Sequence, residues 1–255
     1  ERELSPWTRE APAAPDIAVA ASVPGSIRRV VHDSAEAFFG LGFPIPRLGH
    51  PDVPALDCLS GLLGETKGSV LETWRRETGL VNEASSLSYT PRSGGVFAVS
   101  GSAHPDRLAA AVEGLGALLG ERLAAGPGQA DLAAVREESL SSSLRQDETA
   151  HGRAGRIAYE VAATGRLGFF RRYLAAVQAV TADDVRRVAR RYLLGRKPVA
   201  VLLGPASAIA SVRVPGALPR PRSDATCARP VRLDLPAGPT VLSWRDRSHP
   251  LVSVR

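Results

Sequence analysis

The sequence has little with which to cross-link itself, stack on bases or span a bilayer. Its 255 residues include two cysteines, Cys58 and Cys227, too few and too far apart for a disulfide framework or a thiolate metal site. Cys58 lies in the apolar run "ALDCLSGLL", where a small buried hydrophobe is the expected role. Aromatic residues make up only 5% of the chain, and no nucleic-acid motif accompanies them, so nucleic acid is not an expected partner. The formal charge of +6 does not change that, because many arginines alternate with acids in stretches such as "DDVRRVARR" and suit solvated helix faces. No apolar run approaches the roughly 20 residues of a membrane span. The chain opens at "ERELSPW" without an initiator methionine or a signal peptide. It is therefore expected to be part of a longer protein, and the missing targeting signal says nothing about compartment.

What is present suffices for a folded core. Apolar residues form 44% of the chain and charged residues 23%, an ordinary balance for a globular domain. The richness in Ala, Arg and Gly hints at a GC-rich bacterial genome, in the cytoplasm or the periplasm, and the same bias inflates the arginine count.

Along the chain, residues 1–24 are Ala- and Pro-rich and are expected to form a lead-in. "SIRRVVH" and "EAFFGLGFPIP" have the pattern of strands. "HPDVPALDCLSGLLG" follows as a helix, with Pro51 and Asp52 in its first turn and Gly64 as its C-terminal cap. The stretch "GLLGETKGSVLETWRRETGLVNEASS" superficially resembles a phosphate-gripping loop. However, Lys67 precedes Gly68 instead of Ser or Thr, and a helix instead of a strand leads into it. The better reading is a capping box of Ser69 and Glu72 that starts a short helix ended by Gly79. "LVNEASSLSYT" and "GGVFAVSGSA" form two strands about the turn "PRSGG". A helix then runs to Gly126, and a second begins at "QADLAAV" and continues without a break into "GRAGRIAYEVAATG". Another opens at Thr181 with Asp184 at capping distance and buries Val185, Val188, Ala189, Tyr192 and Leu193. "PVAVLLGP" closes this unit as a strand.

Residues 206–230, rich in Pro, Arg and Ser, are expected to be a linker, and 231–255 the first hairpin of a following domain. The order of strands and helices does not alternate as βαβ units do. The expected class is α+β, with helices packed on a largely antiparallel sheet.

Several of these motifs fall in one order and spacing: "HPDVPALDCLSGLLG", "SVLETWRRETGLV", "GGVFAVSGSAHPDRLAAAV", "VTADDVRRVARRYL" and "VAVLLGP". Together, over residues 26–205, they resemble the second, non-catalytic domain of a half-unit in the M16 (pitrilysin/insulinase-like) zinc metallopeptidases. The tail "LDLPAGPTVLSWRDRSHPLVSV" is similar to the opening hairpin of that family's next half, with Ala237 where an asparagine is usual. The resemblance implies two halves, each of two related domains, closing around a peptide substrate. It also implies a zinc ion held by an inverted His-x-x-Glu-His motif plus a later glutamate, with the first glutamate as base on the bound water.

That motif is not in this chain. His32, His50, His104, His151 and His249 are too scattered for any two to share a helix face. His50 and His104 each precede Pro-Asp at a helix entrance, where capping accounts for them. Zinc is therefore expected elsewhere in the parent protein or on a partner subunit, and catalytic and metal-binding residues are expected in neither this domain nor its tail. Glu137 and Glu138 are adjacent on a helix and point about 100° apart, so they make no acid/base pair. The resemblance does imply one contact. Arg75 matches an arginine that touches substrate in some family members, although the tyrosine that accompanies it seven residues on is Asn82 here. The alternative for Arg75 is a helix-end cation paired with Glu72 or Glu77. For the whole, the alternatives are a substrate-enclosing wall of an M16-like peptidase, joined by another M16-like half or subunit, and a metal-free homologue serving as scaffold or binding subunit.

Overall fold

The computed structural model describes residues 23–218, 231–234 and 240–243, which fall in two units divided after Pro219. In the first unit the element order is β1 (Ile27–Val31), β2 (Ala37–Ile45), α1 (Val53–Ser60), α2 (Val70–Thr78), β3 (Glu83–Tyr89), β4 (Gly95–Ala103), α3 (Leu108–Ala125), α4 (Gln129–Asp147), α5 (Ala150–Thr164), α6 (Phe169–Ala179), α7 (Ala182–Val188), β5 (Val199–Gly204) and α8 (Ala206–Ala210). The five strands form one sheet in the order β1-β5-β2-β4-β3. Only β1 and β5 run parallel; the other three pairings are antiparallel. The fold is thus α+β, as the sequence pattern predicts. The second unit is described only as a hairpin, β6 (Val231–Asp234) with β7 (Thr240–Ser243), paired antiparallel.

Alternation along β2 decides which way the sheet faces. Ala37, Phe39, Leu41, Phe43 and Ile45 are buried, whereas Phe38 and Pro44 are exposed and Gly40 and Gly42 half-buried. On the buried side the strands meet a layer led by α3, whose Leu108, Val112, Leu115, Leu119 and Leu123 recur at helical spacing and are all buried. Burying a leucine fully is worth about 2 kcal/mol, so this one row anchors the helix to the sheet.

Several local expectations are met and several corrected. Thr181 and Asp184 do form a capping box at the start of α7. Ser69, by contrast, makes no capping hydrogen bond; Glu72 reaches back past it and accepts the Gly68 N–H at 2.6 Å. Gly64 is not a helix cap. It lies in a π-helical turn, Gly61–Glu65, that extends α1, and a Cβ there would stand 2.5 Å from the Ser86 backbone nitrogen in β3. The glycine is required by that close approach. The helix expected to run on from α4 is broken at Thr149, whose extended backbone ends the run and whose hydroxyl caps α5 by accepting the Gly152 N–H. The linker expected from residue 206 also begins too early. Ile209, Val212 and Leu218 are buried, and Leu218 exchanges backbone hydrogen bonds with Gly195 and Arg196, so residues 206–218 are part of the folded unit. The lead-in lies outside the described residues up to position 22.

One buried carboxylate joins distant parts of the chain. Asp52, 4% exposed at the start of α1, accepts from Arg187 at 2.5 Å, Arg191 at 3.2 Å and the Tyr192 hydroxyl at 2.7 Å. Its own N–H donates to His50 Nδ1 at 3.1 Å. Burial alone would raise this carboxyl, but the Tyr192 hydroxyl and the Arg187 guanidinium more than offset it and hold it below the usual carboxylate range. The Tyr192 phenol is pushed up to about 12, first by burial and then by its bond to Asp52. The hub pins α1 to α7 and to the π-helical turn Ala189–Leu193 that leads into β5.

Because the folded Asp52 carboxyl sits below its unfolded value of about 3.9, its stabilisation is present above that pH and fades as pH falls through the folded value. Asp52→Asn is expected to lower the unfolding free energy by about 2 kcal/mol at pH 7, a typical figure for a hydrogen-bonded charged group. The gap to the parent chain is expected to close below about pH 4. Urea unfolding followed by circular dichroism from pH 7 to pH 3 checks both; a gap that does not change with pH would contradict the role given to Asp52.

Candidate functional site: the open face of the sheet

The face of the sheet turned away from α3 holds the candidate site. The register places Phe38, Gly40, Gly42 and Pro44 of β2 beside Ser102, Ser100, Ala98 and Val96 of β4 and beside Leu203, Val201 and Val199 of β5. On β3, Leu87 and Tyr89 continue the rows formed by Ala98 and Val96. Phe38, Leu87, Tyr89 and Val201 are 45%, 53%, 56% and 43% exposed, so no described helix covers them. A patch of large apolar side chains left in water on one side of a sheet marks a binding surface more often than a chance exposure.

Small residues shape this face into a groove. Gly40 and Gly42 form its floor, Val96 and Ala98 one side, and Val199 and Val201 the other, with Tyr89 at one end; its volume is about 650 Å³. A Cβ built on Gly40 meets nothing within 4 Å, so the open space above the floor begins at the backbone itself. The floor strands β2, β4 and β5 are paired on both edges, and their backbone groups are spent in the ladders. An occupant of the groove would be held by apolar contact along its length, in the manner of pockets that bury extended apolar chains.

The residues singled out in the sequence lie apart from this groove. Arg75, in the last turn of α2, is half-buried and forms no ion pair with Glu72 or Glu77 among the described residues. Glu72 is occupied by Gly68, so the pairing expected for Arg75 is not made. Asn82 does not approach Arg75 as a partner; its amide donates to the Glu36 carboxylate at 2.8 Å, and its N–H to the Ser102 carbonyl. His50 and His104 act as the capping reading predicts: each Nδ1 accepts the N–H of the aspartate two residues on. No three His, Cys, Asp or Glu side chains are brought together among the described residues. Cys58 is 1% exposed, and burial, then Asp57, pushes its thiol up to about 12, which leaves it protonated and unreactive. No helix among the described residues is long and apolar enough to cross a membrane.

The groove and the Asp52 hub had no sequence signal of their own. The groove needs a register between β2 and two strands far from it in the chain, β4 and β5, and its small residues look like turn formers in a linear reading. The hub joins Asp52 to partners whose spacing carries no local periodicity.

With this geometry in hand, comparison with known proteins gives a consistent result. The sequence matches the family model described as the peptidase M16 inactive domain over residues 1–139. Among solved structures, the fold is similar to a peptidase M16 inactive domain from Pseudomonas fluorescens, at 21% identity and a TM-score of 0.69, covering 80% of this chain and 48% of that one. It is similar also to a protease from Helicobacter pylori, at 24% identity and a TM-score of 0.69, covering 78% of this chain and 48% of that one. A conserved protein from Enterococcus faecalis shares 18% identity at a TM-score of 0.64, covering 81% and 50%. At these identities the likeness is one of fold, and this chain spans about half the length of each neighbour. No curated protein matches the sequence. The family match takes in more than half of the 255 residues, and the chain belongs to the peptidase M16 inactive-domain family.

Proposed function

We propose that this chain is a substrate-enclosing, non-catalytic domain of an M16-like zinc peptidase, with its open sheet face as one wall of the space that receives an extended peptide. The observation that carries this reading is the uncovered apolar groove over Gly40 and Gly42. Extended chains fit such a groove because alternate side chains can enter it while the backbone stays outside. His50 and His104 serve as local caps, and no inverted His-x-x-Glu-His motif occurs in the sequence, so peptide-bond hydrolysis is assigned to a zinc site carried by another M16-like half or subunit, which closes over this face. The hairpin β6–β7 would then open the next domain of the same chain. Arg75, half-exposed and without an ion-pair partner among the described residues, is a second proposed contact, outside the groove, for a more distant part of the same peptide.

The groove can be tested by filling it. Gly40→Phe places a ring in open space above the sheet, at a position whose backbone is not in the left-handed region. It is expected to leave the thermal midpoint within about 3 °C, a shift of under 1 kcal/mol. It is also expected to weaken binding of fluorescein-labelled apolar octapeptides at least tenfold by anisotropy. Unchanged affinity in a folded variant would remove the groove from the proposal.

Arg75→Ala is expected to weaken longer, 16-residue peptides by about threefold, the scale of one exposed charged contact, with octapeptide binding unaltered. Equal affinity for the long peptide would return Arg75 to a purely solvated role. Metal analysis of the purified chain is expected to find no stoichiometric zinc, and one equivalent bound would contradict the placement of the metal on a neighbour.

A further inference from the structure

The groove has a charged end. Pro44, whose ring faces the open side of β2, also lines a second cavity, of about 360 Å³, formed with Arg191, Tyr192, Arg196 and Lys197. This cavity lies where the chain leaves the π-helical turn and enters β5, so the apolar groove and the cationic cavity meet at Pro44. The cations there are not balanced. Asp52 takes Arg187 and Arg191, and Asp184 takes Arg187 a second time. Arg196 spends its Nε on the Arg191 carbonyl. Its two terminal nitrogens, and the ammonium of Lys197, have no partner among the described residues. Of the cavity's three cations, Arg191, Arg196 and Lys197, only Arg191 meets an acid among the described residues, and the other two are both exposed.

The fold holds these two residues in place. The Asp52 hub fixes Arg191 and Tyr192 on one side of them. Leu218 bonds to Gly195 and Arg196 through the backbone, and on the far side the Gly25 N–H donates to the Pro198 carbonyl. The loop's backbone is therefore held on both sides, so binding there does not carry the cost of ordering a free loop.

Resting on the reading of the groove as a peptide site, we propose that the cavity at Pro44 is a carboxylate subsite, which selects peptides carrying an aspartate or glutamate side chain beside an apolar run. A guanidinium and an ammonium next to an apolar channel favour an anion attached to an apolar chain over either alone. The side chain, not the chain terminus, is the source of the carboxylate. Among the described residues the groove and the cavity are both open to solvent, so the peptide backbone continues past Pro44.

The test uses the whole chain and four labelled octapeptides of one apolar sequence. Three carry Glu, Gln or Lys at the same position and a C-terminal amide, and the fourth carries Gln and a free C-terminal carboxylate. The Glu peptide is expected to bind about fivefold tighter than the Gln amide, as one partly exposed ion pair would give, and the Lys peptide more weakly than either. The advantage is expected to shrink between 50 and 500 mM salt. In the double variant Arg196→Glu, Lys197→Glu, both changes being at exposed positions, Glu and Gln peptides are expected to bind alike, with the thermal midpoint retained. Equal binding of Glu and Gln amides to the parent chain overturns the subsite while leaving the groove. So does a Glu preference that survives in the double variant. A preference confined to the free terminal carboxylate overturns the side-chain assignment. Failure of every peptide to bind contradicts the peptide groove itself, and this inference with it.

Discussion

The constraint on which the rest depends is the one-sided burial of a five-stranded sheet. Helices α1, α3 and α7 and the turns that extend them bury the alternate residues of β2, β4 and β5 and leave the intervening ones to water. A sheet can tolerate a wet face when that face is polar. Here it is polar only in part: Ser85 and Ser100 meet on it, but Phe38, Val201, Leu87 and Tyr89 stand exposed beside a floor of glycine and alanine. The sequence thus keeps an apolar surface that no described part of the molecule uses, at a cost in solubility that a binding partner would offset.

The helical layer supports this face indirectly. The row of leucines on α3 fixes the plane of the sheet, and the Asp52 hub fixes where β5 enters it. The hub is a buried charge satisfied by three side-chain donors and screened by His50. Such an arrangement adds little net stability over an apolar substitute, but it tolerates few alternative geometries, because removing one partner leaves the charge unpaired. Its effect is to set the direction of the loop at Gly195–Lys197, and so the edge of the groove.

Much of the fold was legible in the sequence for a physical reason: its signals are local. The alternation of "AFFGLGFPI", the spacing of Leu108, Val112, Leu115 and Leu119, and the Thr181–Asp184 box each lie within a few turns or one strand. What the sequence concealed is long-range or compensatory. Glu72 satisfies the entry of α2 through Gly68 where Ser69 looked the better donor partner. Thr149 interrupts a run whose composition would let a helix continue. Helix α6 carries its own aromatic cluster, Phe169, Phe170 and Tyr173, with the Tyr173 hydroxyl on Asp57, and no periodic stripe announced it. Likewise, Gly40 and Gly42 become a groove only once β5 is paired beside them. The family resemblance reached the domain type through the order of its motifs, and did not reach the surface that the domain offers.

The central claim is that peptides bind on the open face of the sheet and not among the helices. The most direct measurement is methyl NMR of the chain during titration with an apolar octapeptide. The account predicts shifts concentrated at Val96, Val199, Val201 and Leu87, with Leu115, Leu119 and Leu132 unmoved. Shifts centred on the methyls of α3 and α4, or none at saturating peptide, would contradict it.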